Sequence, residues 1–168
     1  NGISAGAADD IVVADNRINN IGDDAIDFDD VTNSVIRDNK IGTKSGTDNI
    51  AEDGIDLAGG SNIRLLRNTV KNTVESGIET FQTDDLILRE NTIRDAGENG
   101  IDIEEANKAT LVMNTVTDVD GDGVRAFKVD EVIARENTVR RVGRDGFDIR
   151  RADRAVIVTN TITDTGRR

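Results

Sequence analysis

The sequence predicts an all-β fold, a parallel β-solenoid of seven coils, and two ladders with a common period predict it. Asn16, Asn39, Asn68, Asn91, Asn114, Asn137 and Asn160 follow one another at 23, 29, 23, 23, 23 and 23 residues. Gly2, Ala25, Gly54, Gly77, Gly100, Gly123 and Gly146 recur with the same spacings. A fixed period of this size marks units that bury their apolar faces only against their neighbours. The coils fall at 1–23, 24–52, 53–75, 76–98, 99–121, 122–144 and 145–168, a single domain with one long coil.

The coil Ser76–Glu98 shows each element in turn. Ile78 and Thr80 alternate with Glu79, the period of a short strand. Leu86 and Leu88 alternate with Ile87 and Arg89 in a second strand, and Ile93 marks a third. Thr83-Asp84-Asp85 and Asp95-Ala96-Gly97-Glu98 separate them as turns. No stretch sustains a helical period. Asp-Gly, normally a hairpin signal, occurs here once per period rather than between adjacent strands. Each strand therefore pairs with its equivalent one coil away, ~4.8 Å along the axis, giving three short parallel sheets.

The inward columns agree with that register: Ile3, Ile26, Ile55, Ile78, Ile101, Val124 and Phe147 in the first strand, and Val13, Ile36, Leu65, Leu88, Leu111, Ala134 and Ile157 in the second. The asparagines suit an inward turn where stacked amides bond to one another and to backbone. The glycines mark a backbone with positive φ or close approach. Arg37, Arg89 and Arg135 alternate with aliphatic residues beside Asp38, Glu90 and Glu136, an exposed ion-pair face repeating every second coil. The extra residues of the long coil lie around Thr43-Lys44-Ser45-Gly46-Thr47-Asp48 and predict an outward loop.

The pattern Gly-Ile-Asp-Ile…Leu-x-Leu-x-x-Asn-Thr-Ile resembles the parallel right-handed β-helix repeat of the pectin-lyase-like superfamily, over the entire chain. That group includes pectate lyases, polygalacturonases and mannuronan epimerases, so the resemblance implies a right-handed coil and a substrate groove on the Gly-Ile-x-Ile sheet. The repeated residues are scaffold, and imply no activity. Leu86-x-Leu88-x-x-Asn91-x-Ile93 also matches a leucine-rich repeat, but the upstream leucine of that consensus is Thr83 here, with Ala106 and Val129 in equivalent coils.

Composition narrows the chemistry. A net charge of −12 argues against nucleic acid or anionic membrane as partner and favours cations or neutral or basic ligands. Cys, His, Pro, Trp and Tyr are absent, which removes thiolate and imidazole chemistry. With neither an initiator Met nor a signal peptide, the chain reads as processed, an excerpt of a longer protein, or an engineered scaffold.

The outward position of the first strand reads Ser4, Asp27, Asp56, Glu79, Asp102, Arg125 and Asp148. Four successive carboxylates at ~4.8 Å steps repel one another. Asp27, Asp56, Glu79 and Asp102 are therefore candidates to bind a cation, with Ca²⁺ the suited metal; the alternative is an acidic stripe screened by salt. No pattern requires a cofactor. Carboxylates two coils apart, ~9.6 Å, sit near the spacing for inverting glycoside hydrolysis. Arg125 flanked by Asp102 and Asp148 resembles calcium-dependent pectate lyases, where an Arg abstracts a proton. Epimerase sites carry His and Tyr, however, and polygalacturonases a His, all missing here. Asp118-Val119-Asp120-Gly121-Asp122-Gly123 matches half an EF-hand loop, but Val129 stands where its bidentate acid belongs.

The expectation is a non-catalytic structural or binding module, extracellular or at the cell surface. Its partners are a polysaccharide, flanking coils, or further copies stacked on its open ends. The alternative is a polysaccharide-active enzyme, a Ca²⁺-dependent lyase or an inverting glycoside hydrolase.

Overall fold

The computed structural model describes residues 1–42 and 52–166; the expected loop around Thr43–Asp48 lies outside the described residues. First strands are Ile3–Gly6, Ile26–Asp29, Ile55–Ala58, Ile78–Phe81 and Phe147–Arg150. Second strands are Val12–Ala14, Val35–Arg37, Arg64–Leu66, Leu86–Arg89 and Arg154–Val158. Third strands run from Arg17–Ile18 and Lys40–Ile41 to Thr138–Val142 and Thr161–Thr165. The pairs are parallel and join equivalent positions of successive coils, as Ile78 with Ile101 and Leu88 with Leu111. Among the described residues there is no helix, hence none able to cross a membrane.

The three strand columns make two sheets rather than three. In coils 5 and 6 the first and second strands run on as Ile101–Val112 and Val124–Arg135, joining both columns into one sheet. The corner residues Glu105 and Lys128 are left-handed, each with φ of 56°. Equivalent corners are left-handed in the other coils too, at Ala7, Asp30, Gly59, Gln82 and Arg151, and between coils 5 and 6 pairing also continues around the bend through Ala106 with Val129 and Lys108 with Glu131.

A left-handed residue precedes every ladder asparagine: Asp15, Asp38, Arg67, Glu90, Met113, Glu136 and Thr159, with φ between 53° and 60°. Such a conformation costs about 1–2 kcal/mol outside glycine, and the amide it turns inward offsets that cost. Oδ1 of Asn91 accepts from the backbone N–H of Asn68 at 3.0 Å and from its Nδ2 at 3.1 Å. Nδ2 of Asn91 donates to the Leu65 carbonyl at 2.8 Å and to Oδ1 of Asn114 at 3.0 Å. Each inner asparagine thus ties its own coil to the coils on both sides.

The glycine ladder is explained by close approach alone. Gly54, Gly77, Gly100, Gly123 and Gly146 have no positive φ. A Cβ on Gly100 would stand 2.2 Å from Val116 Cγ1 and 2.6 Å from the Gly123 carbonyl oxygen. Third strands press on this turn from inside. Ile78, Leu88, Ile93, Ile101 and Leu111 are fully buried between the sheets. At coil 7 the columns lie open, with Ile157, Val158 and Ile162 exposed by 40%, 42% and 44%.

Candidate functional site

The register aligns the predicted outward column, pairing Ser4 with Asp27, Asp27 with Asp56, Asp56 with Glu79, Glu79 with Asp102, Asp102 with Arg125, and Arg125 with Asp148. Alternation along each strand sends the flanking apolar residues inward and leaves this position on the outer face. Asp56 and Glu79 are half-buried. Burial first, then Asp24 and Asp27, pushes the Asp56 carboxyl up to about 6. Burial first, then the charges of Asp102 and Asp56, pushes Glu79 up to about 7. Neither the first strands of coils 1–4 nor the described turns that feed them carry a Lys or Arg.

Arg125 ends this unrelieved run. Its Nη1 donates to both oxygens of Asp102 at 2.9 Å and to Glu104. Asp102 also accepts from Asn99 Nδ2 at 2.8 Å, so its carboxylate is well occupied by protein. Burial still raises the Asp102 carboxyl despite the guanidinium beside it. Burial pulls Arg125 down, but its bonds to Glu104 and Asp102 outweigh that and hold its proton more tightly than usual. To act as a general base Arg125 would first have to lose its own proton, and this setting works against that. Asp148 pairs with Arg150 Nε at 2.9 Å. The half EF-hand is engaged elsewhere: Asp118 binds Arg141, and Asp122 accepts from the Asp145 N–H at 2.8 Å.

A second acidic ladder lies one residue before the glycines and escaped the sequence reading. Oδ1 of Asp24 accepts from the Asp53 N–H at 2.9 Å, and Oδ1 of Asp53 from the Ser76 N–H at 2.7 Å. Asn99 does the same for Asp122 at 2.8 Å. Asp53 is buried, and burial first, then Glu79, raises its carboxyl to about 8. Ser76 interrupts the ladder, its buried Oγ having no partner. Asp23, Asp24 and Glu52 bring carboxylate oxygens within 4.8 Å of one another, an arrangement able to hold a cation.

Over coils 4–7, from the end of the acidic run onward, the face opens into a groove of about 480 Å³, lined by Glu79, Asp102, Glu104, Arg125, Asp148 and Arg150 among others. Charge is divided along the axis. Residues 1–121 hold 25 acids and 10 bases, and residues 122–168 hold 8 acids and 11 bases. Phe81 and Phe127 also stand on this face, flanking Glu104 in register.

A family described as "Right handed beta helix region" matches residues 1–126. No curated protein matches the sequence. The crystal structure of the periplasmic alginate epimerase AlgG superposes with a TM-score of 0.74 at 18% identity, over 98% of this chain and 46% of that one. The Azotobacter vinelandii mannuronan C-5 epimerase AlgE6 A-module gives 0.57 at 12% identity, over 94% and 57%. The chain spans less than two thirds of either protein, and at these identities the likeness is one of fold.

Proposed function

Because the chain belongs to the right-handed β-helix family, we propose that it is a non-catalytic solenoid module that binds a polysaccharide along the face of its first strands. The groove over coils 4–7 carries the reading. Its carboxylates accept and its guanidiniums donate along the coil axis, the mixture that hydroxyl-rich ligands require. Fold neighbours that are alginate and mannuronan epimerases support a saccharide, and the periplasmic one supports a site of action outside the cytoplasm. Cation binding by Asp27, Asp56 and Glu79, and by Asp23, Asp24 and Glu52, belongs to the same proposal. So does end-to-end stacking of the 168-residue chain, from the open apolar edge of coil 7 toward the acidic coil 1 of another copy. Light scattering should then show mass rising with concentration; a strict monomer throughout removes that part.

Incubation with polygalacturonate and alginate, with and without Ca²⁺, tests the reading. Retention on the polymer without new reducing ends or ultraviolet-absorbing products is expected. Turnover would favour the enzyme reading instead, for which Glu79 is the specific observation: a half-buried carboxyl raised to about 7 has the character of a general acid.

A further inference from the structure

We propose that the outer face of the second strands is an interface for a second copy of this chain, the two solenoids lying side by side with parallel coil axes. This is independent of the groove, which lies on the face of the first strands. Two outward positions per coil, from Val12 and Ala14 in coil 1 to Val156 and Val158 in coil 7, stack in register along the whole solenoid. Of these fourteen positions eight are Val, Leu or Ile, four are Arg, and none is acidic. None of them is buried, whereas the residues between them, such as Leu65 and Leu88, are fully so.

Strand propensity does not account for this face. Val and Ile suit any pleated surface, yet the outward positions of the first and third strands hold no Val, Leu or Ile. The first strands present chiefly acids there, as Asp56 and Glu79, and the third strands threonine and bases, as Thr92 and Arg94. A continuous aliphatic face on an otherwise charged surface marks a contact site.

The arginines select the occupant. At no level are both outward positions Arg: Arg37 shares its coil with Val35, Arg64 with Leu66, Arg89 with Ile87 and Arg135 with Ile133. A half-turn about an axis parallel to the coils keeps each coil opposite its equivalent and reverses the strand direction. Arg89 then lies over the partner's Ile87 and Arg135 over the partner's Ile133, so the long stems cover apolar surface and no guanidinium meets another. With the coil axes reversed and centred on coil 4, Arg89 would face itself and Arg37 would face Arg135. Arg37 and Arg89 also carry their own counter-charges, Asp38 and Glu90, each at 2.9 Å. The net charge of −12 argues against an anionic membrane as the occupant. Seven strands at ~4.8 Å by about three residues at ~3.3 Å give a flat face of roughly 340 Å² per copy, which puts the pair in the small, transient class of interfaces.

The test is sedimentation equilibrium of the full chain up to ~1 mM, using wild type, Ile87→Lys, Ile87→Thr and, as a control on another face, Thr92→Lys. Circular dichroism checks that each variant folds; threonine already stands at the equivalent position in coil 5, as Thr110. Wild type and Thr92→Lys should approach twice the chain mass and stop there. Ile87→Lys should weaken the dimer at least about tenfold by forcing a charge against apolar surface, and Ile87→Thr should weaken it less. A mixture of Ile87→Cys and Arg89→Cys chains under mild oxidant should give a disulfide-linked dimer, and Ile87→Cys with Arg135→Cys should not; the opposite result overturns the parallel arrangement. A dimer equally strong in Ile87→Lys, or mass growing past the dimer in every variant, overturns the interface, the latter in favour of end-to-end stacking. A strict monomer overturns it as well, and flotation of that monomer with phosphatidylglycerol vesicles would assign the face to lipid instead.

Discussion

Replacing Asn91 with alanine should cost far more than the same change at Asn16, although both occupy the same ladder. Asn91 is fully buried and makes four side-chain hydrogen bonds. Its loss deprives the Asn68 N–H of its acceptor and the Leu65 carbonyl of a donor, both inside the core. Asn114 Oδ1 keeps the Asn91 N–H, and Asn68 Nδ2 keeps the Ile36 carbonyl. Two stranded groups at about 1–3 kcal/mol each place the cost near 3–4 kcal/mol. Asn16 is half-buried, and its Nδ2 donates to Ala14 O and Asn39 Oδ1, the latter still served by the Asn16 N–H after substitution. Its loss should cost about 1 kcal/mol. Urea unfolding followed by circular dichroism reads the difference as a midpoint shift on the order of 1–2 M. Equal shifts for the two variants, or a cost below about 1 kcal/mol for Asn91→Ala, would refute the view that each inner amide ties three coils together.

Asp53, Glu79 and Asp56 sit at about 8, 7 and 6, all above their unfolded values. The folded state therefore binds protons more tightly, so Tm should rise as pH falls from about 9 to about 5, with Asp53→Asn raising Tm most at the alkaline end; a Tm flat across that window contradicts this. Ser76→Asn should place an amide oxygen on the N–H of the next coil, as Asp53 and Asn99 do, stabilising by about 1 kcal/mol in the same urea assay; no gain would mean that the buried Ser76 Oγ costs nothing. Millimolar Ca²⁺ should raise Tm beyond matched NaCl, and the rise should shrink in Asp24→Asn; equal shifts with either salt leave only a screened acidic stripe.

The parts of this fold legible in the sequence are those that every coil repeats. The asparagines and the inward aliphatic residues declare themselves by period because stacking demands the same side chain at each level. The corner that fuses two strand columns was not legible. The left-handed corner recurs in every coil from Ala7 to Arg151, in residue types that mostly do not signal it, and only the pairing of Ala106 with Val129 and of Lys108 with Glu131 distinguishes coils 5 and 6. The Asp24, Asp53, Asn99 and Asp122 ladder was visible as a spacing but hidden by its neighbours, since Asp before Gly reads first as a turn. Only the bonds from carboxylate or amide to the next coil's N–H distinguish a buried ladder from turn composition.

The candidate site is legible for the opposite reason, through departures from the repeat. A residue that recurs in every coil satisfies the scaffold and cannot by itself distinguish one level from another. Arg125 interrupts a column of acids, Phe81 and Phe127 stand in a column that elsewhere reads Gly6, Asp29, Ala58, Glu104 and Arg150, and Ser76 breaks a hydrogen-bonded ladder. Three of these four face the groove side of coils 4–6, where the charge along the axis also changes sign. A scaffold under selection for stacking alone would have no reason to place a guanidinium there, because Arg125 offsets acids that asparagine would remove more simply. Substituting Arg125, which lines the groove, should therefore alter saccharide binding more than melting temperature, whereas Asn91 and Gly100 should do the reverse.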